Sequence, residues 1–321
     1  MPKLRISIVQ YLNTAPLVWG FTHGPLRGKY ELSFTVPSQC AEALRTGAAD
    51  IAIIPAIEYA RIPDLDILPG ISIASKNAVR SLLLVAKQPV SHVRSIALDR
   101  SSRSTQALTK ILCAEYWKIA PEFRELPPDL SAMLEQADAA LLIGDPALRL
   151  AIAIEPHATR VASAASPAVP SQQEPFAAWT VPAHHLGIAP APQLPQLFVY
   201  DIVEQWRAMT GLPAVLAIWA ARRGSSAASL ATPEVVADFV ASRDLGLQHL
   251  KEIAAASASE LSLPAPALET YLTENIDYTL DAANLRGLSA YFTRAASLNL
   301  IPAAPALRIL ATPRPAPIRS C

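Results

Sequence analysis

Residues 5–16 read RISIVQYLNTAP, and the change of character inside this stretch sets the expected fold. Ile6, Ile8 and Val9 are β-branched, and nothing before Tyr11 interrupts the run, so it reads as a buried strand. Asn13 and Thr14 are both good helix N-caps. Pro16 suits the first helical turn, where its missing N–H is no loss. The order is therefore strand, short polar loop, helix start. Open α/β sheets bind ligands beyond the carboxyl ends of strands, and helix N-termini attract anions. A capped turn without a ligand is the alternative reading of the same residues.

The same grammar repeats outward from this stretch. Residues 30–36 (YELSFTV) alternate as a strand, and 37–45 read as a helix with Ser38 as N-cap and Gly47 as its stop. Residues 50–55 form a third strand, apolar on both faces. Strands separated by helices argue for right-handed βαβ units. A short helix is expected at 58–61, a turn at 68–70, a strand from 71, and another strand at 80–86. A second unit opens with a strand at 95–99, a polar loop at 100–105 and an amphipathic helix at 106–117. Residues 139–143 are a further buried strand, ending in Gly144-Asp145-Pro146.

The polar loop carries Ser101, Ser102, Arg103, Ser104 and Thr105 at a helix start. Backbone N–H groups, hydroxyls and one guanidinium there suit a carboxylate or phosphate. A plain helix cap with extra serines is the alternative. Residues 152–196, rich in Ala, Pro, Ser and Gln, read as a long insertion or flexible excursion. Order returns with a strand at 198–201, a helix at 202–209 and a strand at 214–221. Helices follow at 233–256, broken near 242–246, then at 264–275 and 281–297. The proline-rich last twenty residues are expected to fray.

The expected architecture is two α/β lobes with a ligand cleft between them. Residues 1–88 and 210–321 form lobe one, and 89–209 form lobe two, insertion included. The 321 residues suffice for a large core. Net charge is zero and no basic run exists, which argues against nucleic acid. No stretch approaches the roughly 20 apolar residues of a membrane span, and the start lacks a secretory pattern. Cys40, Cys113 and Cys321 are too widely spaced for a zinc or redox motif, and read as reduced thiols in a cytoplasmic protein. No dinucleotide loop, P-loop or metal cluster is present, so no cofactor and no metal is expected.

Taken in order, YLNTAP (11–16), DIAIIPAIEYAR (50–61), ILPG (67–70), VRSLLLVAK (79–87), ALDRSSRSTQAL (97–108), ALLIGDPAL (140–148), YDIVEQWRAMTGLPAVLAIWA (200–220) and YLTENIDYTL (271–280) resemble the chorismate dehydratases of menaquinone biosynthesis. The resemblance covers residues 4–150 and 198 to about 300; the 152–196 stretch and the tail have no counterpart in it. It implies a type II periplasmic-binding-protein-like fold, with each lobe a mostly parallel sheet flanked by helices. The activity implied is dehydration of chorismate to 3-[(1-carboxyvinyl)oxy]benzoate in the futalosine route. The sister dihydroxynaphthoate synthase shares the fold, but its opening loop reads like CPNDTF where this chain has YLNTAP.

Chorismate carries two carboxylates on a small apolar ring, so its site needs two anion-binding places and an apolar wall. The candidates are Tyr11, Asn13, Thr14, Ala15 and Ser81 in lobe one, and Arg103, Ser104, Thr105, Gly144 and Asp145 in lobe two. None of the six histidines falls in a cleft loop. The expected proton acceptor is therefore the substrate's own enolpyruvyl carboxylate, with Asn13 and Ser81 as the catalytic pair. Glu58 and Asp145 are the carboxylate alternatives, and Glu58 is more simply read as pairing with Arg61 along one helical turn. A two-lobed binder of small anions remains a second reading, because one fold hosts many functions. Oligomeric state and the extent of lobe closure are left open by the sequence.

Overall fold

The computed structural model describes residues 3–162, 177–186, 196–224 and 229–311. In chain order the first sheet's opening elements are β1 (Arg5–Val9), α1 (Ala15–Thr22), β2 (Glu31–Thr35), α2 (Pro37–Thr46), β3 (Ile51–Pro55) and β4 (Leu65–Ser75). Then come β5 (Leu82–Ala86), β6 (Ser95–Asp99), α3 (Arg103–Ile111), β7 (Glu122–Leu126), α4 (Leu130–Gln136), β8 (Ala139–Ile143) and α5 (Gly144–Ile154). β9 (Thr159–Ala162), β10 (Ala177–Pro182), β11 (Gln196–Asp201), α6 (Ile202–Thr210) and β12 (Ala214–Arg222) follow. Four helices close the described chain: α7 (Pro233–Gln248), α8 (Leu250–Leu261), α9 (Ala265–Thr270) and α10 (Ala282–Ser297).

The strands form two sheets, ordered β2-β1-β3-β12-β4 and β7-β6-β8-β5-β11-β10-β9. β1 runs parallel to β2 and β3, and β6 runs parallel to β7 and β8. The strands reached by crossing from the other sheet, β5 and β12, come in against their neighbours. Antiparallel pairing is thus more extensive than the mostly parallel sheets expected, and both sheets are mixed.

The crossing points correct the expected boundary at residue 88. β5 is buried along its whole length and pairs on both edges within the second sheet. The chain therefore leaves the first sheet between Ser75 and Leu82 and returns between Asp201 and Ala214. The 152–196 stretch is also not one excursion. Its Ala and Pro content hides β9 and β10, which extend the second sheet antiparallel beyond β11. The 163–176 and 187–195 parts of that reading, and Cys321, lie outside the described residues.

Other local expectations shift for physical reasons. Neither Asn13 nor Thr14 caps α1 through its side chain, because Leu12–Thr14 form a tight 3-10 turn and both residues are buried. Ser38 is not the cap of α2; Val36 precedes Pro37, which takes the first turn. Pro69-Gly70 does not end a strand but sits in an irregular interruption of the long β4, where Gly70 has φ +72°. Residues 307–310 are not free: Ile67 donates to the Arg308 carbonyl at 2.7 Å, and Leu310 donates back to Ile67 at 3.0 Å. The helical run after Pro233 breaks at His249, not at 242–246.

One large apolar core joins both sheets and includes Trp206 and Trp219, each fully buried; a smaller cluster lies behind the second sheet. The contact that aims the opening loop is α1 against α7. Ser242 Oγ accepts from Gly20 N at 3.0 Å and donates to the Leu17 carbonyl at 2.9 Å. A Cβ on Gly246 would fall 1.9 Å from the Pro16 carbonyl oxygen, so only glycine lets the two helices come this close.

Candidate active site

β1 ends at Val9, and the 3-10 turn that follows is closed by Thr14 N donating to the Tyr11 carbonyl at 3.0 Å. This turn carries Asn13 beyond the strand's carboxyl end. Ser81 stands immediately before β5. Its carbonyl accepts from Gly144 N at 2.8 Å, which ties the start of β5 to the end of β8. Arg80, just before it, has φ +62°, and its N–H donates to Asp201 Oδ2 at 2.6 Å. Ser102 caps α3 by accepting from Thr105 N, and the Ser102 and Thr105 hydroxyls lie 2.9 Å apart.

These side chains meet in one hollow between the sheets, with about 510 Å³ of empty space, open solvent included. Tyr11, Asn13, Ser81, Thr105 and Gly144 line it, together with Ser102. Its apolar walls come from Val9, Ile73, Leu82, Ile143 and Leu216, among others. No Asp, Glu, His, Lys or Arg is among the described residues of the lining. Amide and hydroxyl donors thus arrive from both sides of an otherwise apolar chamber, close to the N-terminal ends of α1, α3 and α5.

Tyr11 forms part of the boundary. Its ring packs on Gly144, where an added Cβ would lie 2.9 Å from Cε2 and Cζ. Gly144 also has φ +66°, a conformation that glycine adopts without strain. The Tyr11 hydroxyl meets Ser101, and burial pushes the phenol above its ordinary pKa. Asp145 Oδ1 accepts from Leu12 N at 3.2 Å. Burial pushes the Asp145 carboxyl up to about 6, and Glu260 adds to the rise.

Five of the expected contacts lie elsewhere. Thr14, Ala15 and Asp145 face a second hollow on the outer side of the Tyr11 turn, shared with Glu260 and Trp19. Ser104 is turned away because its hydroxyl accepts from Ile57 N at 3.0 Å and its carbonyl accepts from Tyr291. Arg103 does not reach the hollow either; it is drawn 3.3 Å from Glu58. Glu58 is fully buried and also binds Arg61 at 3.0 Å and Arg45 at 2.5 Å, so three guanidiniums hold it outside the chamber.

Two residues here stand outside the expected site: Ser102, which lines the hollow, and Tyr271. Tyr271 opens a π turn, Tyr271–Asn275, directly after α9. Its hydroxyl donates to Ser81 Oγ at 2.9 Å and also meets the Asn13 side chain. Ser81 lies 190 positions earlier, so no local pattern joins the two. The YLTENIDYTL stretch marked the segment without pointing to the phenol.

Comparisons with known proteins bear on this arrangement. A chorismate dehydratase from Thermus thermophilus is 28% identical over 289 residues, covering 89% of this chain and 93% of the relative. Among solved structures, a protein from Archaeoglobus fulgidus superposes with a TM-score of 0.65 at 18% identity, covering 93% of this chain and 98% of that one. The alkanesulfonate-binding protein SsuA from Xanthomonas axonopodis pv. citri, bound to MOPS, gives 0.60 at 14% identity, with coverage of 96% and 97%. The periplasmic aliphatic sulphonate binding protein SsuA from Escherichia coli gives 0.58 at 17%, with coverage of 100% and 96%. These structures establish the periplasmic-binding-protein-like fold. The family model for menaquinone biosynthesis matches residues 4–162 and 186–297, leaving out 163–185 within the Ala- and Pro-rich stretch. With the greater part of its length matched, this chain belongs to the menaquinone biosynthesis family.

Proposed function

We propose that this protein is a hydro-lyase that converts chorismate to 3-[(1-carboxyvinyl)oxy]benzoate and water, in the futalosine route to menaquinone. The observation that carries the reading is the hollow itself: donors on both sides, apolar walls, and no charged side chain among its described lining residues. Such a chamber suits a small ring bearing two carboxylates. It offers hydrogen bonds without an ionised carboxylate to repel the ligand. Asn13 and Ser81 are assigned to one end, and Ser102 and Thr105 to the other. Tyr11 and Gly144 close the boundary. The relative's name and the family's pathway support the same substrate.

The chemistry follows from the substrate. The proton on the ring carbon that bears the enolpyruvyl ether is acidified through the diene by the ring carboxylate. The enolpyruvyl carboxylate takes it, and charge spreads into the ring. The neighbouring carbon–oxygen bond then breaks, its electron pair leaving with the hydroxyl. That hydroxyl recovers the proton and departs as water, and the ring becomes aromatic. The protein must position the ring, stabilise the spread charge and receive the leaving oxygen. Ser81 O–H is the donor assigned to that oxygen, and Asn13 orients the carboxylate. A cytoplasmic setting is supported by the buried free thiols Cys40 and Cys113.

The test is turnover of chorismate by the purified protein, read as the aromatic product by absorbance and mass. Asn13→Ala and Ser81→Ala are expected to lower kcat by about 100-fold, the effect of removing one well-placed donor. Glu58→Gln and Asp145→Asn are expected to stay within a few-fold of wild type. Full activity in the first pair with loss in the second overturns the assignment. The fold's likeness to sulfonate-binding proteins favours one other reading, a binder of small anions. A rise in Tm with chorismate left chemically unchanged establishes that reading instead.

A further inference from the structure

We propose that Tyr271 is a positioning residue of the site, fixing the direction in which the Ser81 hydroxyl presents its proton. The inference rests on the dehydratase reading above. Ser81 Oγ has one proton to give and two lone pairs. The Tyr271 phenol occupies one lone pair at 2.9 Å. The Ser81 proton is then directed away from Tyr271, and the hollow is the space that Ser81 lines. The Asn13 side chain also meets the phenol, so one hydroxyl orders both members of the catalytic pair.

The phenol is held as a donor and not as a base. Tyr271 is buried, and burial drives its pKa upward. The carboxylates of Asp145 and Asp201 add to the cost of charging it. Tyr271 therefore stays neutral through the working pH range. It takes no proton from substrate; the leaving oxygen carries off the bonding pair, accepts a hydrogen bond from Ser81, and gains its second proton from the substrate's carboxylic acid.

The backbone around Tyr271 is built to hold it relative to Ser81. Asn275 Nδ2, at the far end of the π turn, donates to the Ala78 carbonyl at 3.0 Å, three residues before Ser81. Asp277 and Ala74 exchange backbone hydrogen bonds at 2.8 and 2.9 Å. The turn is thus strapped to the segment that crosses between the sheets. Single π turns inside helices occur frequently at functional sites, because they re-aim side chains out of the regular ladder.

The experiment is a double-mutant cycle on the full chain with Tyr271→Phe and Ser81→Ala. Tyr271→Phe keeps the ring and its packing. Its kcat for chorismate is expected to fall between about 10- and 100-fold, the effect of a misaligned group, with KM within about threefold. In the Ser81→Ala background the same change is expected to cost nothing further, since residues acting as a unit are not additive. Asn275→Ala, which leaves the phenol in place and loosens its turn, is expected to lower kcat in the same direction at little change in KM. Equal losses in both backgrounds, or an unchanged kcat in Tyr271→Phe, overturn this inference alone. A wild type that leaves chorismate unaltered overturns the dehydratase reading, and this inference with it.

Discussion

Asp145 shows how one side chain can sit beside a site and serve its shape. Its carboxylate accepts Leu12 N and so pins the opening turn to the second sheet. Burial raises its folded pKa to about 6 from an ordinary value of 3.8. The folded state therefore binds the proton more tightly than the unfolded state. Its stability contribution is full below the ordinary carboxylate range and is lost as pH rises through about 6. Urea unfolding at pH 4, 5, 6 and 7 is expected to show a falling contribution across this window. Asp145→Asn, whose side-chain oxygen can still accept from Leu12, is expected to flatten that part of the curve. At this scale the sequence was informative where a residue's partners are local. Asp281 caps α10 through Asn284, as its position at a helix start suggested. Arg103 was misread because its partner, Glu58, comes from the other half of the molecule, 45 positions away.

Among the elements, α1 and α7 decide where the turn bearing Asn13 can lie. Their approach is set by Gly20 and Gly246, with Ser242 supplying the polar contact between them. A methyl at 246 meets the Pro16 carbonyl and must push the start of α1 away. Gly246→Ala is expected to cost about 1–3 kcal/mol, the range for overpacking a tight contact. Its lower urea midpoint should come with reduced turnover, because the displaced carbonyl lies three residues from Asn13. Buried strands were the elements most legible in the sequence. Ser95–Asp99 and Ala139–Ile143 are found within the bounds their apolar runs imply. β7 escaped notice because it is an edge strand with much of its EFREL sequence exposed. β9 and β10 escaped because Ala-rich segments carry little β signal, and only pairing next to β11 makes them strands.

At the scale of the whole molecule, the two sheets are joined by two crossings, and Tyr11, beyond the end of β1, packs on Gly144, beyond the end of β8. That contact is closed here, with Leu12 N on Asp145 beside it. Gly144→Ala adds a methyl under the Tyr11 ring at a left-handed backbone position. The backbone term alone is worth about 1–2 kcal/mol. The variant is expected to melt earlier and to show a KM for chorismate raised about tenfold, because the halves can no longer seat against each other. Unaltered KM and Tm would show that this contact does not govern closure. The two-lobed plan was readable from the repeating strand–loop–helix order. The point of crossing was not, since β5 looks the same in sequence whichever sheet receives it.

The chamber draws on residues near 11, 81, 102, 144 and 216, and is ordered by a phenol at 271. That spread has a consequence during synthesis. A nascent chain whose growth has reached α8 already holds every lining residue, yet lacks the tyrosine that orders two of them. Chorismate offered to such a ribosome-bound intermediate would meet an unset serine. On the role proposed for Tyr271, competence waits until α9 and the π turn after it have emerged from the exit tunnel and folded back.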